Sequence, residues 1–320
     1  MSDALENPTP AGRVADGFHL PAHPDRPVHP SDSPNRPWRR YVAIGDSMSE
    51  GLNDPDPHTP DAYVGWTDRL AHALATLVPG AVDETGDEPG DTTGGEPGRE
   101  PAGGVFRYAN LAIRGKLIAD ITSRQLDEAL ALGPDLVSMV AGGNDILRPK
   151  ADIDAIARRL ERAVARIRAT GADVLLATPT DPKDAPVINL VRSRHAIYTA
   201  HIWTIARRHG CAVIDQFGMT ALRDWRMWGD DRIHMTSEGH ARVAGAALAA
   251  LGCDITDAMT SIHPDWATPL PPRVEPTRKE RWEGDREWAR AHLGPWVQRR
   301  LKGVSSGDNR TPKRPTLEIL

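Results

Sequence analysis

The sequence has few cysteines, no long apolar run and no excess of positive charge. Its 320 residues include only two cysteines, Cys211 and Cys253, which excludes a disulfide framework and every cysteine-rich zinc pattern. No segment approaches the roughly 18–20 consecutive apolar residues of a membrane span, so we expect none. The net charge of −5 argues against general binding of nucleic acids.

The first ten residues, MSDALENPTP, are acidic and lack the basic and apolar regions of a signal peptide. We therefore expect the protein to stay in the cytoplasm. Hydrophobic residues make up 39% of the chain, which is enough to build a core, and the length suits one large domain or two small ones. The oligomeric state cannot be read from the sequence.

Two segments have the composition of irregular chain. Residues 1–38 hold eight of the 28 prolines and show no apolar period, so we interpret them as a disordered, proline-rich arm. Residues 79–104 are acidic and rich in glycine, and they lie between two well-patterned segments. We interpret them as a solvated loop insertion within one domain, and a lid or cation trap as the alternative.

Between residues 39 and 253, short β-rich runs alternate with helical patterns. Each run is apolar enough to be covered on both faces. Five strands alternating with five helices predict an α/β fold, with a parallel sheet that binds ligands at the carboxyl ends of its strands. The predicted strands are 41–45, 105–111, 135–143, 173–179 and 211–215, and the predicted helices are 61–77, 116–132, 152–170, 187–209 and 237–251.

A serine follows the first predicted strand, in the sequence Gly45-Asp46-Ser47. The glycine lets the backbone turn sharply, so the Ser47 hydroxyl can stand above the sheet and its backbone N–H can hold an anion. The spacing differs from the G-x-S-x-G elbow, because Ser49 occupies the place of the second glycine. By itself the motif also fits an ordinary strand-to-helix turn.

Two further candidates follow the second and third predicted strands. Gly115 stands at a helix entrance, where a glycine brings a backbone N–H close to a bound group. Asn144, in the sequence GGND, offers an amide donor that needs no proton transfer. Each residue also fits a plain turn or helix cap.

An aspartate and a histidine three residues apart follow the fifth predicted strand. The Asp231 carboxylate can accept a hydrogen bond from His234 Nδ1–H and leave Nε2 facing the serine. The same spacing occurs at Asp16 and His19 in the proline-rich arm. Only Asp231 and His234 follow a strand and share the sheet edge with Ser47.

Together these blocks resemble the four signature blocks of the SGNH (GDSL) hydrolase family of GDSL-like lipases and acylhydrolases. The resemblance implies a three-layer α/β/α sandwich of flavodoxin-like topology and ester-hydrolysing chemistry. It implies Ser47 as the nucleophile, His234 as the general base and Asp231 as its orienter. It also implies an oxyanion hole made by the backbone N–H groups of Ser47 and Gly115 and the side-chain amide of Asn144.

The resemblance covers roughly residues 40–252 and departs from the family at Met48, where leucine is common, a change that leaves the chemistry intact. It implies a serine esterase that takes a small-molecule acyl ester and uses no cofactor or metal. A metal site on Asp230, Asp231 and His234 is the weaker alternative, because neither an H-E-x-x-H motif nor cysteine ligands accompany it.

Two other functions stay open. The same acyl-enzyme could pass its acyl group to an alcohol other than water, which would make the protein an acyltransferase. A protein that retains the pocket without turnover would be a binding or scaffold protein. The sequence does not identify the acyl group or the alcohol.

The C-terminal part divides into a helical extension and a tail. Residues 254–302 contain several tryptophans and a helical pattern from Thr277 to Leu293, with Trp282 and Ala289 on the same side as Leu293. We expect this helix to dock on the catalytic domain at 39–253, and binding to a membrane surface or a partner is the alternative. Residues 303–320 are predicted to be a disordered tail, because glycine, serine, proline and basic residues dominate its first part.

Overall fold

Parallel strands cross the centre of the molecule and helices cover both faces. The predicted arm up to residue 37 and the acidic insertion are not among the residues that the structure describes. The structure, a computed structural model, describes residues 38–59, 62–78, 105–185, 187–253, 268–272, 276–294 and 305–320.

The five predicted parallel strands are confirmed. They lie side by side in the order β5-β4-β3-β1-β2, which is the flavodoxin-like order. The strands are β1 (Arg40–Gly45), β2 (Arg107–Asn110), β3 (Leu136–Val140), β4 (Asp173–Ala177) and β5 (Ala212–Ile214).

Helices connect successive strands and pack in two layers. The layer on one face contains α2 and α8, and the layer on the other face contains α3, α4, α6 and α7. Their bounds are α1 (Ser47–Glu50), α2 (Trp66–Thr76), α3 (Ile118–Asp120), α4 (Leu126–Ala131), α5 (Gly143–Ile146), α6 (Ile153–Arg168), α7 (Arg192–His209) and α8 (Ser237–Ala250). A π-helical turn at Ile121–Gln125 joins α3 to α4.

The period of two in each strand divides the apolar side chains between these layers. On β1, Tyr41 and Ala43 belong to the core beneath α2 and α8, whereas Val42 and Ile44 belong to the core beneath α6 and α7. All four side chains are fully buried. Burial on both faces explains why the strand is a continuous apolar run rather than an alternating one.

The order in which strands are added to the sheet reverses beside β1. From β1 it crosses to β2 on one side, and it then returns to β3 on the other side. Loops that follow β1 and β3 therefore leave the same edge of the sheet in opposite directions and open a crevice between them. This crevice is where a ligand site is expected.

The C-terminal tail corrects two predictions, because its last residues form a sixth strand. β6 (Arg314–Ile319) pairs antiparallel with β2, so the sheet is six-stranded rather than five-stranded and the described end of the tail is ordered. Local composition missed this strand because β6 is mostly exposed and has no apolar run. Its order comes from the open edge of β2, which offers unpaired backbone groups to any strand that can reach them.

The predicted helix in the extension is confirmed, but it docks through Trp288 and not through the side that carries Trp282. Helix α9 (Arg278–Trp288) continues through a π-helical turn at Ala289–Leu293. Trp282 is 62% exposed, whereas Trp288 is buried. The spacing argument failed because the helix docks through polar contacts of its last turn, which apolar periodicity does not mark. Trp266 and Trp296 lie outside the described residues.

Candidate active site

Ser47 is the first residue of α1, directly after β1, and its side chain is buried. Gly45 makes this turn possible with a φ of 151°. A Cβ at Gly45 would lie 2.6 Å from Ser49 Oγ and 2.7 Å from the carbonyl oxygen of Val140, so only glycine fits. The predicted strand-to-helix turn thus places Ser47 at the carboxyl edge of the sheet.

Asp46 caps helix α1 and is buried beside the serine. Its Oδ1 accepts a hydrogen bond from the backbone N–H of Met48 at 3.1 Å. Burial raises the pKa of Asp46 to about 6, although the Met48 amide and the charge of His234 oppose the shift. Asp46 thus lies close enough to His234 for the two charges to interact.

Asn144 lies in α5 after β3, on the other side of the crevice. Its Nδ2 donates to Asp46 Oδ2 at 3.2 Å and to the carbonyl oxygen of Lys116 at 3.1 Å. The second bond brings the turn at Gly115, where φ is 71°, next to the asparagine. The predicted candidates at Ser47, Gly115 and Asn144 therefore converge.

Asp231 and His234 form a hydrogen-bonded pair, with 2.6 Å between Asp231 Oδ2 and His234 Nδ1. The other carboxylate oxygen of Asp231 accepts from the backbone N–H groups of Ile233 and His234. Burial would raise the pKa of Asp231, but its bonds to His234 and the amide donors outweigh burial and leave the pKa below its usual value. A carboxylate only accepts, so the neutral imidazole carries its proton on Nδ1 and presents Nε2 as a base.

A cavity of about 160 Å³ opens beside these residues. Ser47 and Asn144 lie in its wall, together with Arg232 and Ile233 from the loop between Asp231 and His234. Much of the remaining wall is apolar and comes from the end of β4 and from the segments after β4 and β5, including Ala177, Pro179, Ile188, Leu222 and Trp225. An acyl group can therefore be enclosed next to the serine hydroxyl.

Sequence reasoning missed the contacts that the extension makes with this site. Trp288 Nε1 donates to the backbone carbonyl of Asp231 at 2.8 Å. Arg232 Nη1 donates to Asp285 Oδ1 at 2.6 Å, and its guanidinium lies over the rings of Trp225 and Trp288. The tryptophan content of the extension was the available signal, but it did not indicate which ring docks.

His240, six residues after His234, is a packing residue. It is fully buried, and its Nδ1 accepts from the backbone N–H of Trp66 at 3.2 Å. Burial and the charge of Arg69 lower its pKa to about 3. His240 is therefore neutral in the folded protein over the physiological pH range.

The described residues contain no group of three or more histidine, cysteine, aspartate and glutamate side chains that could hold a metal ion. In the same part of the chain, no helix has both the length and the apolar character needed to cross a membrane.

Comparison with known proteins agrees with this geometry. Residues 43–242 match the GDSL-like lipase/acylhydrolase family, and this match spans more than half of the chain. The chain belongs to that family and is an SGNH-type esterase. No curated protein matches the chain.

Solved structures share the fold. LAE5, an alpha/beta hydrolase enzyme from the metagenome of Lake Arreo in Spain, is 24% identical and covers 67% of this chain and 95% of its own, with a TM-score of 0.51. Axe2, an acetylxylan esterase from Geobacillus stearothermophilus, is 20% identical and covers 68% of this chain and 95% of its own, with a TM-score of 0.50. The family match ends at residue 242, before the C-terminal extension begins.

Proposed function

We propose that the protein hydrolyses an acyl ester through an acyl-enzyme on Ser47. The observation that carries the proposal is the Asp231–His234 hydrogen bond at the sheet edge where Ser47 stands. Ser47 Oγ attacks the acyl carbon while His234 Nε2 takes the hydroxyl proton. The imidazolium then returns this proton to the leaving alcohol as the ester C–O bond breaks.

Water completes the cycle. His234 takes a proton from a water molecule, the hydroxide oxygen bonds to the acyl carbon, and the bond to Ser47 Oγ breaks. The acid product leaves and the serine regains its proton. Asp231 orients the imidazole through both steps and stabilises its positive charge without taking the proton.

We assign the oxyanion of each tetrahedral intermediate to the backbone N–H groups of Ser47 and Gly115 and to the Asn144 amide. One such donor typically lowers the barrier by about 3–4 kcal/mol. The Asn144 amide donates to Asp46 and to the carbonyl oxygen of Lys116. Donation to an oxyanion therefore requires Asn144 to exchange one of these acceptors, which accords with catalytic hydrogen bonds that tighten only when substrate is bound.

Variants of a structural neighbour accord with this assignment. Structures of Axe2 include catalytic mutants in which a serine or a histidine is replaced by alanine. We infer the same two residue types as the working pair here, at Ser47 and His234.

The experiment combines covalent labelling with turnover. Purified protein is treated with a fluorophosphonate, its intact mass is measured, and the labelled peptide is mapped. Hydrolysis of p-nitrophenyl acetate and octanoate is followed in parallel. We expect one adduct, on Ser47, and turnover of at least one ester.

Ser47→Ala should abolish both the adduct and turnover. Ser49→Ala is the matched control, because the Ser49 hydroxyl is buried and makes no hydrogen bond within the described part of the chain. Asn144→Ala should lower kcat about 100- to 1000-fold with the fold intact. A Ser47→Ala protein with wild-type rates would refute the assignment, and an unlabelled, inactive wild-type protein would favour the scaffold alternative.

A further inference from the structure

The extension outside the family match contacts the loop that carries Asp231 and His234. Trp288, at the end of α9, is only 5% exposed, and its Nε1–H donates to the backbone carbonyl of Asp231 at 2.8 Å. The carboxylate of the same aspartate accepts from His234 Nδ1 at 2.6 Å. Asp231 is thus bound to α9 through its backbone carbonyl and to the His234 imidazole through its side chain.

Arg232, which lies between Asp231 and His234 in the sequence, makes a second set of contacts with α9. Arg232 has a left-handed backbone, with φ at 56°, which is uncommon for a residue other than glycine. Its guanidinium lies 5.2 Å from the ring centre of Trp225 and 5.5 Å from that of Trp288. It also donates to Asp285 Oδ1 at 2.6 Å. A cation between two aromatic rings and a carboxylate has little freedom to move.

The loop at 229–234 is closed by a backbone hydrogen bond from the Gly229 N–H to the carbonyl oxygen of His234, and α9 contacts it from outside. It is bounded by an isolated β-bridge between Trp228 and Met235 and contains no helix or strand. A displacement of about 1 Å at a catalytic group can cost about 100-fold in rate. The contacts from α9 therefore act on the part of the site where positional error matters most.

The tail reaches the opposite side of the site. Ser305 Oγ donates to the carbonyl oxygen of Gly115 at 3.2 Å. Gly307 packs so closely that a Cβ there would lie 1.9 Å from the carbonyl oxygen of Arg114. The extension therefore touches the loop that carries the base, and the tail touches the turn that we assign to the oxyanion hole.

We propose that the C-terminal extension and the tail together position the active site. Trp288 and Asp285 are positioning residues for the Asp231–His234 pair, and Ser305 is a positioning residue for Gly115. None of the three needs to touch the substrate. This inference rests on the proposed function, since it assigns these residues to the same site.

The test compares two tryptophans of one helix. Trp288→Phe removes the Nε1–H donor and keeps an aromatic ring, whereas Trp282→Phe changes a ring that is 62% exposed and faces Arg286. We expect Trp288→Phe to lower kcat for p-nitrophenyl acetate about 10-fold or more, with KM changed less than about twofold. Trp282→Phe should leave both parameters at wild-type values.

A spectroscopic readout separates positioning from general stability. A proton in a short His–Asp hydrogen bond gives a resolved downfield NMR resonance, which His234→Ala assigns by its loss. We expect Trp288→Phe to broaden this resonance through faster exchange with solvent and Trp282→Phe to leave it unchanged. The resonance does not depend on turnover, so it tests the inference even if the protein proves inactive.

Asp285→Asn removes the charge that faces Arg232 and gives a second test if Trp288→Phe folds poorly. Glu283→Gln is its control, because that side chain is exposed and lies 3.9 Å from Lys279. Ser305→Ala should lower kcat without moving the His234 resonance. Equal kcat and equal spectra in Trp288→Phe and Trp282→Phe, or in Asp285→Asn and Glu283→Gln, would overturn the inference for the Asp231–His234 loop. An inactive wild-type protein with a Trp288-sensitive resonance would instead count against the proposed function alone.

Discussion

Single buried groups determine how the protein depends on pH. Asp46 is buried next to the nucleophile, and burial raises its pKa to about 6. It accepts hydrogen bonds from Met48 and Asn144. A carboxylate held this way fixes the orientation of the Asn144 amide, because one amide proton is donated to Asp46 Oδ2.

At this scale the sequence indicated which residues to consider but not their state. The order of Ser47, Gly115, Asn144, Asp231 and His234 along the chain was enough to predict that they meet, because each follows a strand of one parallel sheet. Their charges and hydrogen bonds depend on burial and on neighbours distant in sequence. The spacing of residues along the chain contains no information about burial or about these distant neighbours.

His240 provides a pH-dependent prediction. Its pKa is about 3 in the folded protein and about 6.5 when exposed. Between pH 7 and pH 4 the unfolded chain binds a proton that the folded protein does not, so stability falls as pH falls. The loss at pH 4 is about 3 kcal/mol.

The measurement is the free energy of unfolding by urea at pH 7 and pH 4. His240→Gln lacks the titrating group, so the wild-type protein should lose about 3 kcal/mol more than this variant between the two pH values. His58→Gln, at an exposed position, should follow the wild type. Parallel losses in wild type and His240→Gln would contradict the prediction.

At the scale of elements, the sixth strand is the feature that periodicity did not predict. β6 covers the edge of β2, and its Leu317 and the residue directly after the strand, Leu320, pack against the two cores. Lys313, just before β6, donates to Asp68 Oδ2 at 2.5 Å and ties this segment to α2. The strand is therefore part of the sheet, although its own side chains are largely exposed.

Deletion of residues 314–320 should lower the free energy of unfolding by roughly 2–4 kcal/mol, at about 1 kcal/mol for each lost ladder hydrogen bond. It should also promote self-association through the exposed β2 edge. Thermal unfolding and light scattering check both effects. Ile319→Ser is the control, since that side chain is 60% exposed and its loss should change little. An unchanged melting temperature and a monodisperse deletion variant would argue against a structural role for β6.

At the scale of the whole molecule, the family-matched part and the extension form one structure. The tail contributes an edge strand to the sheet, and the extension contributes a helix that contacts the loop of Asp231. Unfolding of one part removes contacts on which the other depends. We therefore expect a single cooperative unfolding transition rather than separate melting of the extension.

Differential scanning calorimetry tests this expectation. The full chain should give one endotherm, with agreement between the calorimetric and van't Hoff enthalpies. A chain that ends after His263 should melt at a lower temperature than the full chain. A separate low-temperature endotherm in the full chain, or an unchanged melting temperature after truncation, would show that the extension is an independent unit.

The sequence by itself determined the five parallel strands, the helices between them and the five residues proposed for catalysis. Apolar periodicity and strand-end motifs are local properties, and a parallel sheet brings its strand ends together. Only the tertiary structure decided that β6 completes the sheet and that Trp288, rather than Trp282, docks on Asp231. Those choices depend on an open backbone edge and on a polar surface that other parts of the chain create, so no local pattern could contain them.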